Sequence, residues 1–117
     1  MTAARQKAER LGRFAEEIAA IVLLLQGYRI LARRFAASGG EIDIVARKSG
    51  VLVFVEVKMR QRLADAEQAV TPRGRQRIKA ASAAYLARNE RRMDVPMRFD
   101  IVAMSPKGLR HIRDAFR

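Results

Sequence analysis

The sequence predicts an α/β domain, a mixed β-sheet flanked by helices, in the order helix, three strands, helix, one or two strands. Three observations predict it. An early segment repeats apolar residues with helical period, several later runs alternate with period two, and a Thr-Pro pair opens a second helical stretch between the strands. Helices and strands alternate only loosely, which argues for helices laid against a mixed sheet. The 117 residues suffice for one domain with a modest core. The division expected is a flexible tail over 1–9 and a single domain over 10–117.

The first helix is predicted from about Arg10 to Gln26. Leu11, Phe14, Ala15, Ile18, Val22 and Leu25 follow the helical period, and Gly27 is a suitable stop. The expectation is a buried helix. A second face carries Gly12, Glu16, Ala19, Ala20 and Leu23, which puts the Glu16 carboxylate among small residues that allow close approach. The run Ile18 to Leu25 is far short of the ~20 apolar residues of a membrane span. Basic residues precede it as in a secretory leader, but Glu16 and Glu17 abut it and no small-residue cleavage site follows promptly. The reading is a cytoplasmic protein without membrane attachment.

Tyr28 to Phe35 reads as the first strand, followed by an AASGG loop. Glu41 to Ala46 alternates, Arg47 to Gly50 is a hairpin turn, and Val51 to Lys58 is the most β-branched run in the chain. These last two strands should pair antiparallel. Residues 59–70 show no clean period and read as a mobile loop. Thr71 and Pro72 fit the N-cap and first position of a helix reaching about Asn89, with Ile78, Ala81, Ser82, Tyr85 and Leu86 on one stripe. Met97 to Met104 is a strand, SPKG a turn, and the residues from Leu109 a short final strand.

Charge narrows the function classes. Twenty-four Lys and Arg face twelve Asp and Glu, a net charge of +12, and nineteen of the cations are Arg. Nucleic acid is the default partner of such a surface, and Arg suits bidentate phosphate contact. A biased base composition would contribute to the same excess. With no cysteine there is no disulfide framework, thiolate zinc site or thiol nucleophile.

The predicted hairpin holds the candidate chemistry. Alternation puts Leu52, Phe54, Glu56 and Lys58 on one face, and Glu41, Asp43 and Val45 on one face of the neighbour. The opposite faces, with Ile42 and Ile44 on one strand and Val51, Val53, Val55 and Val57 on the other, are apolar and should meet the core. Asp is a poor strand former, and a carboxylate in packed surroundings needs a partner or a metal. Two close carboxylates repel, and a divalent cation removes that cost. Glu16 offers a third oxygen donor. Mg²⁺ would suit such ligands together with phosphate oxygens, and Lys58 could orient an attacking water. Spacing alone leaves an ordinary alternative open, in which Asp43 and Lys58 are a cross-strand pair on a solvent face.

GGEIDIV (39–45) followed by FVEVKMR (54–60) resembles the YraN-like family of small bacterial proteins. The spacing Gly12-x3-Glu16-x2-Ala19-x3-Leu23-x3-Gly27 resembles that family's first helix. Ala69-Val70-Thr71 resembles the start of its second, and Arg98-Phe99-Asp100 its late strand. The likeness covers about residues 10–117. The family is in turn similar to archaeal Holliday-junction resolvases and to nucleases with a PD-(D/E)xK motif, which implies a restriction-endonuclease-like core around a metal site. Carried over, Asp43 is the motif's Asp, Glu56 its second acid and Lys58 its Lys. Glu16 matches the helical Glu that completes such sites, and the Val57 carbonyl is implied as a further metal ligand. Glu41 ranks below these. The Lys usual after V-T-x-x is Gly74 here, flanked by Arg73 and Arg75.

Arg73, Arg75, Arg77 and Lys79 crowd the start of the second helix, where cations oppose the helix dipole unless a phosphate arrives to meet them and the free N–H groups. A solvated face screened by salt is the plain alternative. Arg60 and Arg62 should lie at the rim of the site or on a solvated loop. Asp100 is expected to pair with a neighbouring Arg, and the lone His111 is left out of the site. Together these readings give a Mg²⁺-dependent endonuclease, with Mn²⁺ able to substitute, that hydrolyses phosphodiester bonds in DNA. The resolvase likeness suggests branched or recombining DNA. The rival class is a nucleic-acid-binding module that keeps the fold without cutting. A third reading, a structural protein with incidental charge, predicts no nucleic-acid affinity. Cutting two strands would call for a two-fold homodimer, for which the sequence marks no surface.

Overall fold

Thr2 starts the chain's first helix, seven residues earlier than periodicity placed it. In the computed structural model, which describes residues 2–92 and 94–117, its hydroxyl accepts the Arg5 N–H at 3.1 Å and α1 runs Ala3–Leu25. Of the tail expected over 1–9, residue 1 lies outside the described residues. Gly27, at φ 88°, lets the chain turn out of the helix. Three strands follow: β1 (Arg29–Ala37), β2 (Gly40–Lys48) and β3 (Val51–Met59). Ser49 and Gly50, both at positive φ, make the two-residue turn between β2 and β3, in the left-handed conformation that tight hairpins demand.

The stretch expected as a mobile loop contains a short helix, α2 (Leu63–Glu67), anchored by the fully buried Ala66. One buried residue, with Leu63 packed beside it, is too little for the period to show. Then α3 (Pro72–Asn89) begins as its caps predict: Thr71 Oγ1 accepts the Gly74 N–H at 3.0 Å, and Pro72 fills the first helical position. Such a cap contributes about 1 kcal/mol. The predicted stripe of Ile78, Ala81, Ser82, Tyr85 and Leu86 is the buried face. The chain ends with β4 (Met97–Ser105) and β5 (Gly108–Phe116).

The five strands lie in the order β1-β2-β3-β4-β5, all neighbours antiparallel except β3 and β4. A parallel pair needs a long crossover, and α2 with α3 supplies it. One sheet face packs Ile42, Val45, Leu52, Phe54 and Phe99 against Ala66, Ile78, Tyr85 and Leu86. The other packs Ile44, Ala46, Val53, Val55 and Val102 against Ala15, Ala19, Ala20 and Leu23 of α1. Both faces of β3 are therefore buried, which is why it reads as an unbroken apolar run. No helix among the described residues is long and apolar enough to cross a membrane.

Two expectations fail on packing. The buried face of α1 is Ala15, Glu16, Ala19, Ala20 and Leu23, while Leu11, Phe14 and Leu25 of the periodic stripe are exposed. Small side chains let the helix lie close to the sheet, and closeness decided the face. Ile42 and Ile44, expected on one face, lie on opposite ones. The alternation breaks at Asp43. That residue falls between the Arg33–Ile44 and Phe35–Ile42 pairs, across from Arg34, whose φ is 52°. The ladder between β2 and β3 stops at Ile44–Val55.

Candidate functional site

The break in the β2–β3 ladder opens the sheet at one place. A cavity of about 470 Å³ lies there. It is lined from α1 by Glu9, Gly12, Arg13 and Glu16, from the strands by Arg34, Glu41, Asp43, Glu56, Val57 and Lys58, and from α3 by Gly74, Arg77 and Ile78. Glu16, Asp43, Glu56 and Lys58, which the sequence singled out, thus share one cavity with Glu41 and Val57.

Each is held by local structure. Asp43 occupies the position where β2 leaves β3, and its Oδ2 accepts the Val57 N–H at 2.7 Å. A strand N–H that has lost its ladder partner is thereby satisfied, a structural reason for an acid in a strand. Glu56 and Lys58 extend the alternation of Leu52 and Phe54 past the end of that ladder. Burial first, then a hydrogen bond and repulsion from Asp43, push the Glu56 carboxyl up to about 9, against a weaker opposing pull from Lys58. At neutral pH the Asp43–Glu56 pair therefore holds a proton between its oxygens.

Glu16 is engaged elsewhere. Its Oε2 accepts from Arg34 Nε at 3.1 Å and from Arg34 Nη2 at 2.6 Å. Accordingly, among the described residues no three Asp, Glu, His or Cys side chains stand together as a ready metal cage. The donor set still fits a hard cation. Asp43 and Glu56 offer adjacent oxygens, and a divalent ion would replace the shared proton and remove the repulsion. Gly12 serves openness and not close approach, because a Cβ there would meet nothing within 4 Å.

The predicted basic residues divide. Arg77 lines the cavity, and Arg60 lines a neighbouring one of about 410 Å³ that shares Gly12, Val57 and Lys58. Arg62 precedes α2 as its N-cap position. Arg73 is exposed outside the cavity, Lys79 is half-buried outside it, and the Arg75 guanidinium lies 5.4 Å from the Phe116 ring centre. The α3 N-terminus is a poorer anion site than expected. Pro72 has no N–H, the Gly74 N–H goes to Thr71 Oγ1 and the Arg75 N–H to the Thr71 carbonyl. Gly74 faces the cavity without a side chain to fill it.

Arg13 and Arg34 are cavity cations that the sequence reading missed. Arg34 could have been found only from its left-handed backbone, which no residue type announced. Arg77 is positioned by Gly40: a Cβ on Gly40 would lie 1.9 Å from the Arg77 carbonyl oxygen, so α3 crosses β2 in contact with its backbone.

Asp100 lies apart from this cavity and is structural. It is fully buried, with Arg98 Nε 2.9 Å from Oδ1, His111 Nε2 2.7 Å from Oδ2, and the Asp114 N–H donating to Oδ1 at 3.0 Å. Burial alone would push its carboxyl up; the bonds from His111, Arg98 and Asp114 outweigh that and hold it below its ordinary range. Arg98 also donates to the Tyr28 hydroxyl.

The chain belongs to the family described as Uncharacterised protein family UPF0102, whose profile matches residues 15–104, a span containing Glu16, Asp43, Glu56 and Lys58. It is 50% identical over 117 residues to a UPF0102 protein of Rhizobium johnstonii, covering 99% of this chain and 96% of that one. A UPF0102 protein of Rhodopseudomonas palustris is 50% identical over 113 residues, covering 96% and 87%. One from a Bradyrhizobium species is 48% identical over 113 residues, covering 96% and 80%.

Proposed function

We propose that the protein is a Mg²⁺-dependent phosphodiesterase acting on nucleic acid, with DNA as the preferred substrate. The observation that carries this reading is the convergence of Glu16, Asp43, Glu56 and Lys58 on one cavity that Arg13, Arg34 and Arg77 also line. A divalent cation bound by Asp43 and Glu56 would polarise a phosphoryl oxygen and acidify a bound water. Lys58, on the same face of β3 as Glu56, orients the attacking water. Asp43 keeps one oxygen on the Val57 N–H, which fixes its carboxylate and leaves the other oxygen for the ion. Arg77 and Arg34 meet the substrate phosphate. A phosphate also gives Arg34 a new partner, which releases Glu16 to complete the ligand set. Branched DNA enters this proposal by analogy with the resolvases that the motif resembles.

A second reading, a binding module without turnover, has its own support: Arg34 ties Glu16 away from the other two acids. A cleavage assay separates the two. Wild type and Glu56→Ala are compared on labelled four-way junction, duplex and single-stranded DNA with Mg²⁺ or Mn²⁺. The proposal expects cutting by wild type and a loss of at least ~100-fold in the variant, the scale of removing one main electrostatic group. Inert wild type that still binds DNA would establish the second reading. Absence of both cutting and binding would dispose of both.

A further inference from the structure

The apolar stripe that α1 does not bury has a definite geometry. Leu11, Phe14, Ile18, Ile21 and Leu25 follow one another at spacings of 3, 4, 3 and 4 residues. That is the a/d repeat by which one helix packs its side chains into the holes of another. Four of the five are strongly exposed: Leu11 at 43%, Phe14 at 59%, Ile21 at 54% and Leu25 at 82%. Ile18 is half-buried against the cluster beneath α1, while the other four point away from the face that meets the sheet and have no partner within the fold. Leu24, at 56% exposure, borders it.

We propose that this stripe is the interface of a homodimer, and that its occupant is the same stripe on a second copy of the chain. Width argues for a helical partner. A strict a/d seam is narrower than the broad apolar face of a helix lying in a membrane surface or on a core. Area argues for a second copy. The exposed seam with Leu24 offers roughly 500 Å² of side chain, and two copies together reach the ~1,000 Å² that a specific interface requires. A two-fold axis across α1 makes the patch self-complementary, so each seam fills the other and the contact closes without forming a filament. Since each copy carries a charge of +12, repulsion opposes the pairing and salt screens it. Dimerisation should therefore strengthen with added salt, opposite to the salt response of phosphate binding. Pairing through α1 is independent of what the cavity does.

Sedimentation velocity of the full chain across a range of protein and salt concentrations tests it. The expected result is a monomer–dimer equilibrium, tighter at higher salt. In Phe14→Glu/Ile21→Glu association should weaken at least ~100-fold, the scale of removing two central apolar anchors. Both side chains are exposed in the monomer, so far-UV circular dichroism and melting temperature should be retained. Ser82→Ala, on α3, is the control and should dimerise as wild type does. A monomeric wild type overturns the proposal, as does a dimer that survives the double substitution. A monomer that binds phosphatidylglycerol vesicles, and loses that binding in the double variant, overturns it in favour of a membrane surface. If the double variant fails to fold, Leu25→Glu, at the most exposed seam position, carries the same test.

Discussion

Replacing the ionisable carboxyl of Glu56 by an amide should stabilise the metal-free protein, and the gain should depend on pH. Glu56 is raised from an ordinary 4.5 to about 9 by burial and by Asp43. Between those values the folded chain holds a proton that the unfolded chain has released. Stability therefore falls as pH rises through that window; the contribution is fully present below 4.5 and lost above 9. At about 1.4 kcal/mol per pH step, the loss by pH 7 comes to about 3 kcal/mol, a ceiling because the proton is shared with Asp43. For a domain of this size that corresponds to roughly 10 °C in melting temperature. The assay is thermal denaturation of wild type and Glu56→Gln in EDTA from acid to mildly alkaline pH. The difference between the two curves should be small near pH 4.5 and grow towards pH 9. Mg²⁺ should then stabilise wild type more than the variant, because a ligand that binds only the folded state adds stability through its occupancy. Parallel pH curves, or a variant less stable than wild type at pH 8, would refute the argument that Glu56 is a strained acid awaiting a cation.

Two further outcomes follow from packing. Asp100→Ala leaves Arg98 and His111 without their buried acceptor and should cost about 3 kcal/mol, read by urea denaturation at neutral pH. Because the folded Asp100 carboxyl is held low, its contribution is present above the unfolded value of 3.8 and lost as pH falls through the lower folded one. Wild type and variant should therefore converge in stability in strong acid. Gly40, behind the cavity residue Arg77, and Gly12, in the cavity wall, should behave oppositely. Gly40→Ala drives a Cβ into the Arg77 carbonyl, should cost ~2 kcal/mol or more, and should displace Arg77. Gly12→Ala meets nothing, so the better helix propensity should stabilise by ~0.5–1 kcal/mol while narrowing the cavity mouth. Melting temperatures of the two variants, with opposite signs, check both.

Legibility in the sequence followed how locally each feature is determined. Thr71 and Pro72 placed the start of α3 because cap chemistry is a property of adjacent residues. The stripe from Ile78 to Leu86 was read correctly because a single burying face makes a clean period. Helix α1 misled because it carries two stripes. Period alone ranks the larger side chains first, whereas closeness to the sheet selected Ala15, Ala19 and Ala20. The parity change at Asp43 was illegible because it depends on the backbone of Arg34, nine residues away and on another strand. Alternation and the misfit of carboxylates on apolar elements grouped Glu16, Asp43, Glu56 and Lys58, but spacing alone slightly favours an ordinary cross-strand pair, and the resemblance to a motif added the weight. The Arg34–Glu16 ion pair required the fold.

The distribution of charge couples the two halves of the functional reading. In a chain of +12, Glu9, Glu16, Glu41, Asp43 and Glu56 line one cavity, with Arg13, Arg34, Lys58 and Arg77 among them. At long range the surplus attracts a polyanion whatever fills the cavity. At contact the remaining carboxylates repel phosphate, even with the Glu56 proton in place, unless a cation sits among them. Binding of DNA in the cavity should therefore require a divalent ion even where no bond is cut. Ca²⁺, larger and more tolerant in geometry than Mg²⁺, is the suitable probe. Fluorescence anisotropy with labelled duplex in EDTA should show weak binding with a steep salt dependence, from phosphate contacts alone. Adding Ca²⁺ should tighten binding by about tenfold, close to 1.4 kcal/mol. Asp43→Asn/Glu56→Gln should bind in EDTA as tightly as wild type does in Ca²⁺, because the repulsion has been removed, and should no longer respond to the ion. Equal Ca²⁺ responses in wild type and double variant would place the DNA away from these acids and sever the cavity from the function proposed for it.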